Sequence, residues 1–133
     1  MITLSFLKLI ENNGFGVIDT SLFFQKLTLD KKGLYIADIG DPMSKGTRKS
    51  QSFELLARGS SDVDGYKLLS DVLDFLSESY STVCELPAVP PISDQTYSNV
   101  LIRPTASITN VGLDANNRII YSITGQIIYK KSL

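Results

Sequence analysis

Two aspartates, Asp38 and Asp41, stand on either side of Gly40. Two carboxylates this close push their proton affinities apart and supply oxygen atoms of the kind that bind divalent cations. No third hard ligand follows at a suitable spacing, and the boundary between a strand and a loop explains the pair more simply. The same argument applies to Asp62 and Asp64. We therefore predict no metal ion and no cofactor at either pair.

The chain has one cysteine, Cys84, and no histidine. A cysteine nucleophile needs a base, and without histidine it would depend on a lysine or on a helix terminus. A buried, neutral thiol is the simpler interpretation, because free cysteines usually lie in protein interiors. The missing histidine also removes the side chain most used for acid–base catalysis near neutral pH. These features favour a protein that is not an enzyme, and a single thiol fits a reducing compartment.

The common catalytic and nucleotide-binding signatures are missing from the sequence: it has no Walker loop, dinucleotide-binding turn, hydrolase elbow or zinc-protease motif. Gly14-Phe15-Gly16 resembles part of a phosphate-binding loop, but it follows a predicted helix instead of a strand. It also lacks a third glycine at the required spacing. A turn is therefore the better interpretation of this segment.

Basic residues cluster in segment 40–49, where Lys45, Arg48 and Lys49 accompany glycines, a proline and small polar residues. This composition favours an exposed loop over a helix or a strand. The three cations can contact an acidic protein surface or nucleic acid, although a solvated loop is the simpler interpretation. With 13 basic and 14 acidic residues, the whole chain does not have the charge of a dedicated DNA-binding protein.

Length and composition predict one globular domain spanning residues 1–133. A chain with 43% hydrophobic and 20% charged residues can bury one core and, at this length, has little material for a second. Its apolar runs are much shorter than the roughly 20 residues that span a bilayer, and no basic segment precedes the first of them. We therefore expect neither a membrane span nor a secretion signal.

Hydrophobic periodicity predicts two helices. The first covers residues 2–12, where apolar side chains recur at every third or fourth position. The second begins after Ser61, because the Ser61 hydroxyl and the carboxylate of Asp64 can satisfy the N–H groups of a first helical turn. A broad apolar stripe continues from there to Tyr80.

Strands are predicted in five segments rich in β-branched and aromatic residues: 21–29, 34–39, 51–58, 100–111 and 118–130. The first two resemble a hairpin with Gly33 at the left-handed position of its turn, and the last two resemble a hairpin whose tip is 112–117. A proline-rich crossover, residues 86–99, follows the second helix. The order α-β-β-β-α-β-β predicts an α+β fold, in which two helices pack on one face of an antiparallel sheet of about five strands.

Three motifs occur in order along the chain: Ile39-Gly40-Asp41-Pro42 after a predicted strand, Gln51-Ser52-Phe53-Glu54-Leu55-Leu56-Ala57-Arg58 before the second helix, and Gly112-Leu113-Asp114-Ala115-Asn116-Asn117-Arg118-Ile119-Ile120-Tyr121-Ser122 at the start of the last strand. In this arrangement the chain resembles the tail-terminator, or tail-completion, proteins of long-tailed bacteriophages, some of which are described as minor capsid proteins. Together with the first helix, the motifs are spread from residue 2 to residue 122 of the 133-residue chain.

The resemblance implies a virion protein of the tail or neck that is assembled in the host cytoplasm and has no catalytic activity. Such a protein forms a homo-oligomeric ring, commonly a hexamer, which caps the tail tube and ends its polymerisation. The ring also presents a surface to a head-side connector or head-closure protein, and genomic DNA passes through its lumen without sequence-specific binding. A closed ring requires two different, complementary patches on each subunit.

Exposed loops are the expected sites of contact with neighbouring subunits, because loops can vary without disturbing a rigid sheet. The expected contacts are Asp41, Lys45, Arg48 and Lys49 in the first loop and Asp114, Asn116, Asn117 and Arg118 at the hairpin tip. The three cations of the first loop are expected to pair with acidic groups on an adjoining ring.

Two alternatives remain open from the sequence. One is another neck component, such as a head-closure or minor capsid protein. The other is a small enzyme or ligand-binding domain that uses Asp38, Asp41 and Cys84 in a pocket.

Overall fold

The computed structural model describes residues 2–25, 32–59, 61–79, 84–90, 92, 95–105, 107–113 and 118–130, and of residues 62, 78, 79 and 84 it describes the backbone alone. The elements in chain order are α1 (Ile2–Asn12), β1 (Leu22–Phe24), β2 (Gly33–Lys45), β3 (Arg48–Arg58), α2 (Asp62–Ser79), β4 (Cys84–Leu86), β5 (Tyr97–Pro104), β6 (Thr109–Leu113) and β7 (Ile119–Lys130). The predicted α+β class is confirmed.

The described strands form one mixed sheet in the order β1-β2-β3-β7-β5-β4, and β6 pairs with β7. Its centre is the antiparallel pair β3 and β7, which runs from Arg48 opposite Lys130 to Ala57 opposite Tyr121. All strand pairs are antiparallel except β1 and β2. The prediction of about five antiparallel strands therefore matches the sheet only roughly.

The predicted hairpin between segments 21–29 and 34–39 is wrong, because β1 runs parallel to β2, with Leu22 opposite Leu34. The chain reverses before β1, in a turn where the carbonyl of Val17 accepts the N–H groups of Thr20, Ser21 and Leu22. Gly33 does have a positive φ of 136°. Residues 26–31, which include the first two residues of the predicted turn, lie outside the described residues.

Segment 40–49 is not the predicted loop, although it is exposed as expected. Strands β2 and β3 continue through it as a two-stranded hairpin around Gly46 and Thr47, with Lys45 opposite Arg48. Gly46, at φ 63°, occupies the first position of the two-residue turn, where glycine is preferred. The register of the two strands shifts between Ile39 and Met43, so a bulge accommodates the glycine and proline that suggested a loop.

The predicted strand 100–111 is divided in two. β5 and β6 both pair with β7, the first beside residues 125–128 and the second beside residues 119–122. β5 ends at Pro104, whose nitrogen cannot donate to a ladder. The predicted antiparallel pairing of this segment with the last strand is confirmed. The short strand β4, between the second helix and the predicted strand 100–111, was not predicted.

Both helices pack on the same face of the sheet, as predicted. Phe6 of α1 meets Phe53 edge-on, with ring centroids 5.1 Å apart, and Tyr66 of α2 meets Tyr121 at 5.5 Å. Tyr121 is opposite Ala57, which is four residues from Phe53 on β3 and therefore points to the same side. The cap of α2 is also confirmed, since the N–H of Asp64 donates to the Ser61 hydroxyl at 3.3 Å.

The core between the helices and the sheet is one continuous apolar cluster, to which both helices and most of the strands contribute. Of the described residues, none belongs to a helix with both the length and the apolar character needed to cross a membrane. The face of the sheet opposite the helices carries no described helix.

Candidate assembly surface

Residues 40–49 form a projecting hairpin, which we call the arm. Every residue of the arm is exposed except Lys49, which is half-buried, and the side chain of Met43 is 76% exposed. Since no arm residue belongs to the apolar core, the fold does not need these side chains for packing. The arm is therefore a surface whose residues can be devoted to contacts outside the subunit.

A buried glutamine holds the base of the arm. Gln51 is only 3% exposed, and its Nε2 donates hydrogen bonds to the carbonyls of Gly40 at 3.1 Å and Ser52 at 2.9 Å. Gly40 has φ 71°, a left-handed conformation that glycine adopts readily, and it lies in the bulge. This one side chain therefore connects the irregular point of β2 to regular β3.

We expect Gln51→Ala to lower the free energy of unfolding by about 1–3 kcal/mol, because it removes a buried side chain together with its two hydrogen bonds. Amide hydrogen exchange should also accelerate in the arm more than in β7. Lys49→Ala, a substitution two residues away on the same strand face, is the control and should change unfolding by less than about 0.5 kcal/mol. Unchanged exchange in the arm of the Gln51 variant would contradict this role.

Four cations gather at the end of the arm. Arg48 of β3 lies between Lys45 of β2 and Lys130 of β7, each directly opposite it, so the three side chains share one face of the sheet. Lys49 lies on the other face, opposite Ser44 and Tyr129. Sequence reasoning missed Lys130, which is remote in the chain from the other three and joins them only through the β3–β7 register.

The row Lys45, Arg48 and Lys130 lies on the face without helices, because Arg48 is an odd number of residues from the helix-facing Phe53. Beside it, Met43 and Ile128 contribute apolar surface to a groove of about 470 Å³ that the arm forms with β7. The groove thus combines cationic and apolar walls, a combination suited to a protein surface more than to a metal ion.

The cations of the arm are not neutralised within the described part of the subunit. Ion pairs among the described residues, such as Lys8 with Glu11 and Lys67 with Asp71, lie outside the arm. Burial, and secondly the nearby Tyr97, raise the pKa of Tyr129, so this phenol opposite Lys49 stays neutral at physiological pH. The field of the arm is therefore available to an external anion.

The predicted contact residues do not form a single surface. Asp41 is exposed in the arm with the predicted cations, whereas Arg118 is half-buried immediately before β7, at the opposite end of that strand from Lys130. Asp114, Asn116 and Asn117 lie outside the described residues. Arg118 and the arm are thus near opposite ends of β7.

The alternative pocket of Asp38, Asp41 and Cys84 does not form. Both aspartates belong to β2 and Cys84 belongs to β4, with three strands between them. The carboxylate of Asp38 accepts a hydrogen bond from Nε2 of Gln25 at 3.1 Å, and the Asp38 N–H donates to Oε1 of Gln25 at 3.1 Å, which is a structural contact between β2 and the end of β1. No three metal-ligating side chains gather among the residues that the structure describes.

Comparison with known proteins finds no family model and no curated protein sequence that matches the chain.

Proposed function

We propose that this chain is a virion structural protein that resembles a tail terminator of long-tailed bacteriophages. Copies of the chain would form a closed ring, commonly a hexamer in such proteins, that caps the tail tube and stops its polymerisation. The other side of the ring would receive the head-side connector or a head-closure protein. Genomic DNA would pass through the lumen without sequence-specific binding, and the ring would assemble in the host cytoplasm.

The arm is the observation that carries this proposal. A hairpin that contributes nothing to the core, with an exposed methionine and a row of cations that no described acid neutralises, is expected of a subunit that completes its contacts in an assembly. Its base is fixed by Gln51, so the arm can present this surface in a defined position. An enzyme would instead need converging chemical groups, and the three residues considered for that role are distributed over β2 and β4.

The combined variant Lys45→Ala, Arg48→Ala, Lys49→Ala is expected to reduce the yield of capped, head-joined tails by at least about tenfold, because lost contacts of about 1.4 kcal/mol weaken binding that much. The subunit itself should keep its free energy of unfolding within about 0.5 kcal/mol, since the three side chains lie at the surface. Electron microscopy of phage particles and urea unfolding measure the two quantities.

The control is Lys32→Ala, Arg103→Ala, which removes one lysine and one arginine at exposed positions outside both the arm and α2. This variant should assemble normally. Normal tails in the arm variant, or equal defects in both variants, would show that the arm cations have no specific role.

Particles assembled without the protein test the stage at which it acts. Overlong tails would support termination of tube growth, and tails of normal length without heads would assign the chain to another step in the neck. Normal, joined tails would reject a role in tail or neck assembly altogether.

A further inference from the structure

The second exposed apolar surface of the subunit lies at the far end of the sheet from the arm. Val63 and Tyr66 on α2 are 72% and 50% exposed, and Leu113 on β6 is 62% exposed. The half-buried Ile119 and Tyr121 of β7 lie beside them. We call these five residues the patch.

The residues of the patch are brought together by strand register and by the packing of two aromatic side chains. Leu113 is opposite Ile119, and Tyr121, two residues further along β7, packs edge-on against Tyr66 at 5.5 Å. Val63 precedes Tyr66 by three residues and therefore lies next to it on the helix surface. The patch is thus one surface built from α2, β6 and β7.

The α2 side of the patch has the opposite charge to the arm, whereas on its β7 side the half-buried Arg118 precedes Ile119. The outer side of α2 carries Asp64, Asp71 and Asp74, and its one described cation, Lys67, pairs with Asp71 at 3.0 Å. The arm, by contrast, carries three cations and one carboxylate, Asp41, and is extended by Lys130. The α2 side of the patch is therefore complementary in charge to the arm, and both surfaces contain exposed apolar side chains.

The two surfaces of one subunit cannot meet each other. Lys130 beside the arm and Tyr121 in the patch are at opposite ends of the same uninterrupted pairing with β3, nine residues apart, which corresponds to roughly 30 Å of strand. A contact between these surfaces must therefore join two copies. Because it uses a different surface on each copy, it is a heterologous contact, the kind that closes rings.

We propose that the arm of one copy docks on the patch of the next copy, with Met43 against the apolar side chains and the arm cations beside the carboxylates of α2. Pro42 and the bulge disfavour continuous strand pairing along the outer edge of the arm, so the contact is made by side chains. The inference rests on the proposed function, in which copies of the chain associate, and it names the two surfaces that do so.

Disulfide crosslinking tests this pairing directly, because Cys84 is the only natural cysteine. In a Cys84→Ser background, the chain carrying both Met43→Cys and Val63→Cys should give a covalent ladder beyond the dimer on mild oxidation. Each single-cysteine variant should stay monomeric on a non-reducing gel, and a mixture of the two should stop at the dimer. The control chain with Met43→Cys and Val17→Cys, also exposed, should give no ladder.

Covalent dimers from Met43→Cys alone would show that arms meet arms, and dimers from Val63→Cys alone would show that patches meet patches; either result overturns the proposal. So does the absence of all crosslinks when both thiols react normally with a maleimide. The proposed function and the docking proposal can fail separately. A ladder together with normal tails in phage that lack the protein would reject the proposed function alone. Loss of capping in the arm variant without any ladder would reject the docking proposal alone.

Discussion

Gly33→Ala is expected to destabilise the protein by at least about 3 kcal/mol, because the new methyl group meets both backbone strain and a steric barrier. Gly33 has φ 136°, which side chains rarely adopt, and a Cβ at this position would lie 2.0 Å from the carbonyl oxygen of Ser21. That oxygen also accepts the N–H of Leu34 at 3.0 Å. Alanine therefore separates the start of β2 from the residue before β1.

Gly40→Ala provides the matched control, since Gly40 is on the same strand and has φ 71° but no atom lies within 4 Å of its added Cβ. Only the conformational cost applies there, about 1–2 kcal/mol. Urea unfolding of both variants measures the difference. Equal losses would mean that φ alone determines the cost and that the close approach of β1 to β2 at Gly33 has no energetic importance.

The helices and strands were predicted correctly where the hydrophobic periodicity continued over many residues and fitted only one type of secondary structure. The stripe of α2 and the Ser61 cap specify that helix through contacts within a few residues, and α1 and β7 are similarly local. The prediction of the first hairpin was wrong because the residue composition of a strand does not determine the direction in which the strand runs. Leu22–Phe24 and Gly33–Lys45 are typical strand sequences in either orientation, and the pairing of Leu22 with Leu34 shows that they are parallel.

The arm shows the converse error, in which strong local signals were outweighed by pairing. Gly40, Pro42 and Gly46 are typical loop residues, yet a bulge and a two-residue turn place all of them within a regular hairpin. Sequence reasoning placed Lys45, Arg48 and Lys49 in one exposed basic segment, and the structure exposes Lys45 and Arg48 while Lys49 is half-buried on the other face. Sequence reasoning could not identify Lys130, because the position opposite Arg48 depends on a register set by the whole β3–β7 pair.

The patch could not be predicted from the sequence either, because it too depends on how distant segments pack together. Val63 and Tyr66 were assigned to a helix, with Tyr66 counted in the apolar stripe that faces the core. Tyr66 does pack edge-on against Tyr121, but half of its surface remains exposed. Amphipathic periodicity predicts which side of a helix is apolar, and it does not predict how far the sheet beneath extends.

Phe53→Ala is expected to cost about 3–5 kcal/mol, because it removes the side chain that connects α1, β3 and β7 and leaves a cavity in the core. Phe53 is fully buried and meets Phe6 edge-on at 5.1 Å, with the rings inclined by 78°. Its ring also covers Gly125, where an added Cβ would lie 2.7 Å from the ring. A domain with a total stability of about 5–15 kcal/mol would lose a large part of it.

Tyr66→Ala is the matched control, since Tyr66 forms the same edge-on geometry with Tyr121, at 5.5 Å and 80°, while half of its surface stays exposed. We expect a loss of about 1 kcal/mol, near the value of an aromatic pair with limited burial. Thermal or urea unfolding compares the two variants.

The two variants should have the reverse order of effects on assembly. The Tyr66 variant, which still folds, should oligomerise less, because the Tyr66 side chain belongs to the patch. Any Phe53 variant that folds should retain both docking surfaces. A Tyr66 variant with unchanged oligomers would show that its exposed ring plays no part in the contact between copies.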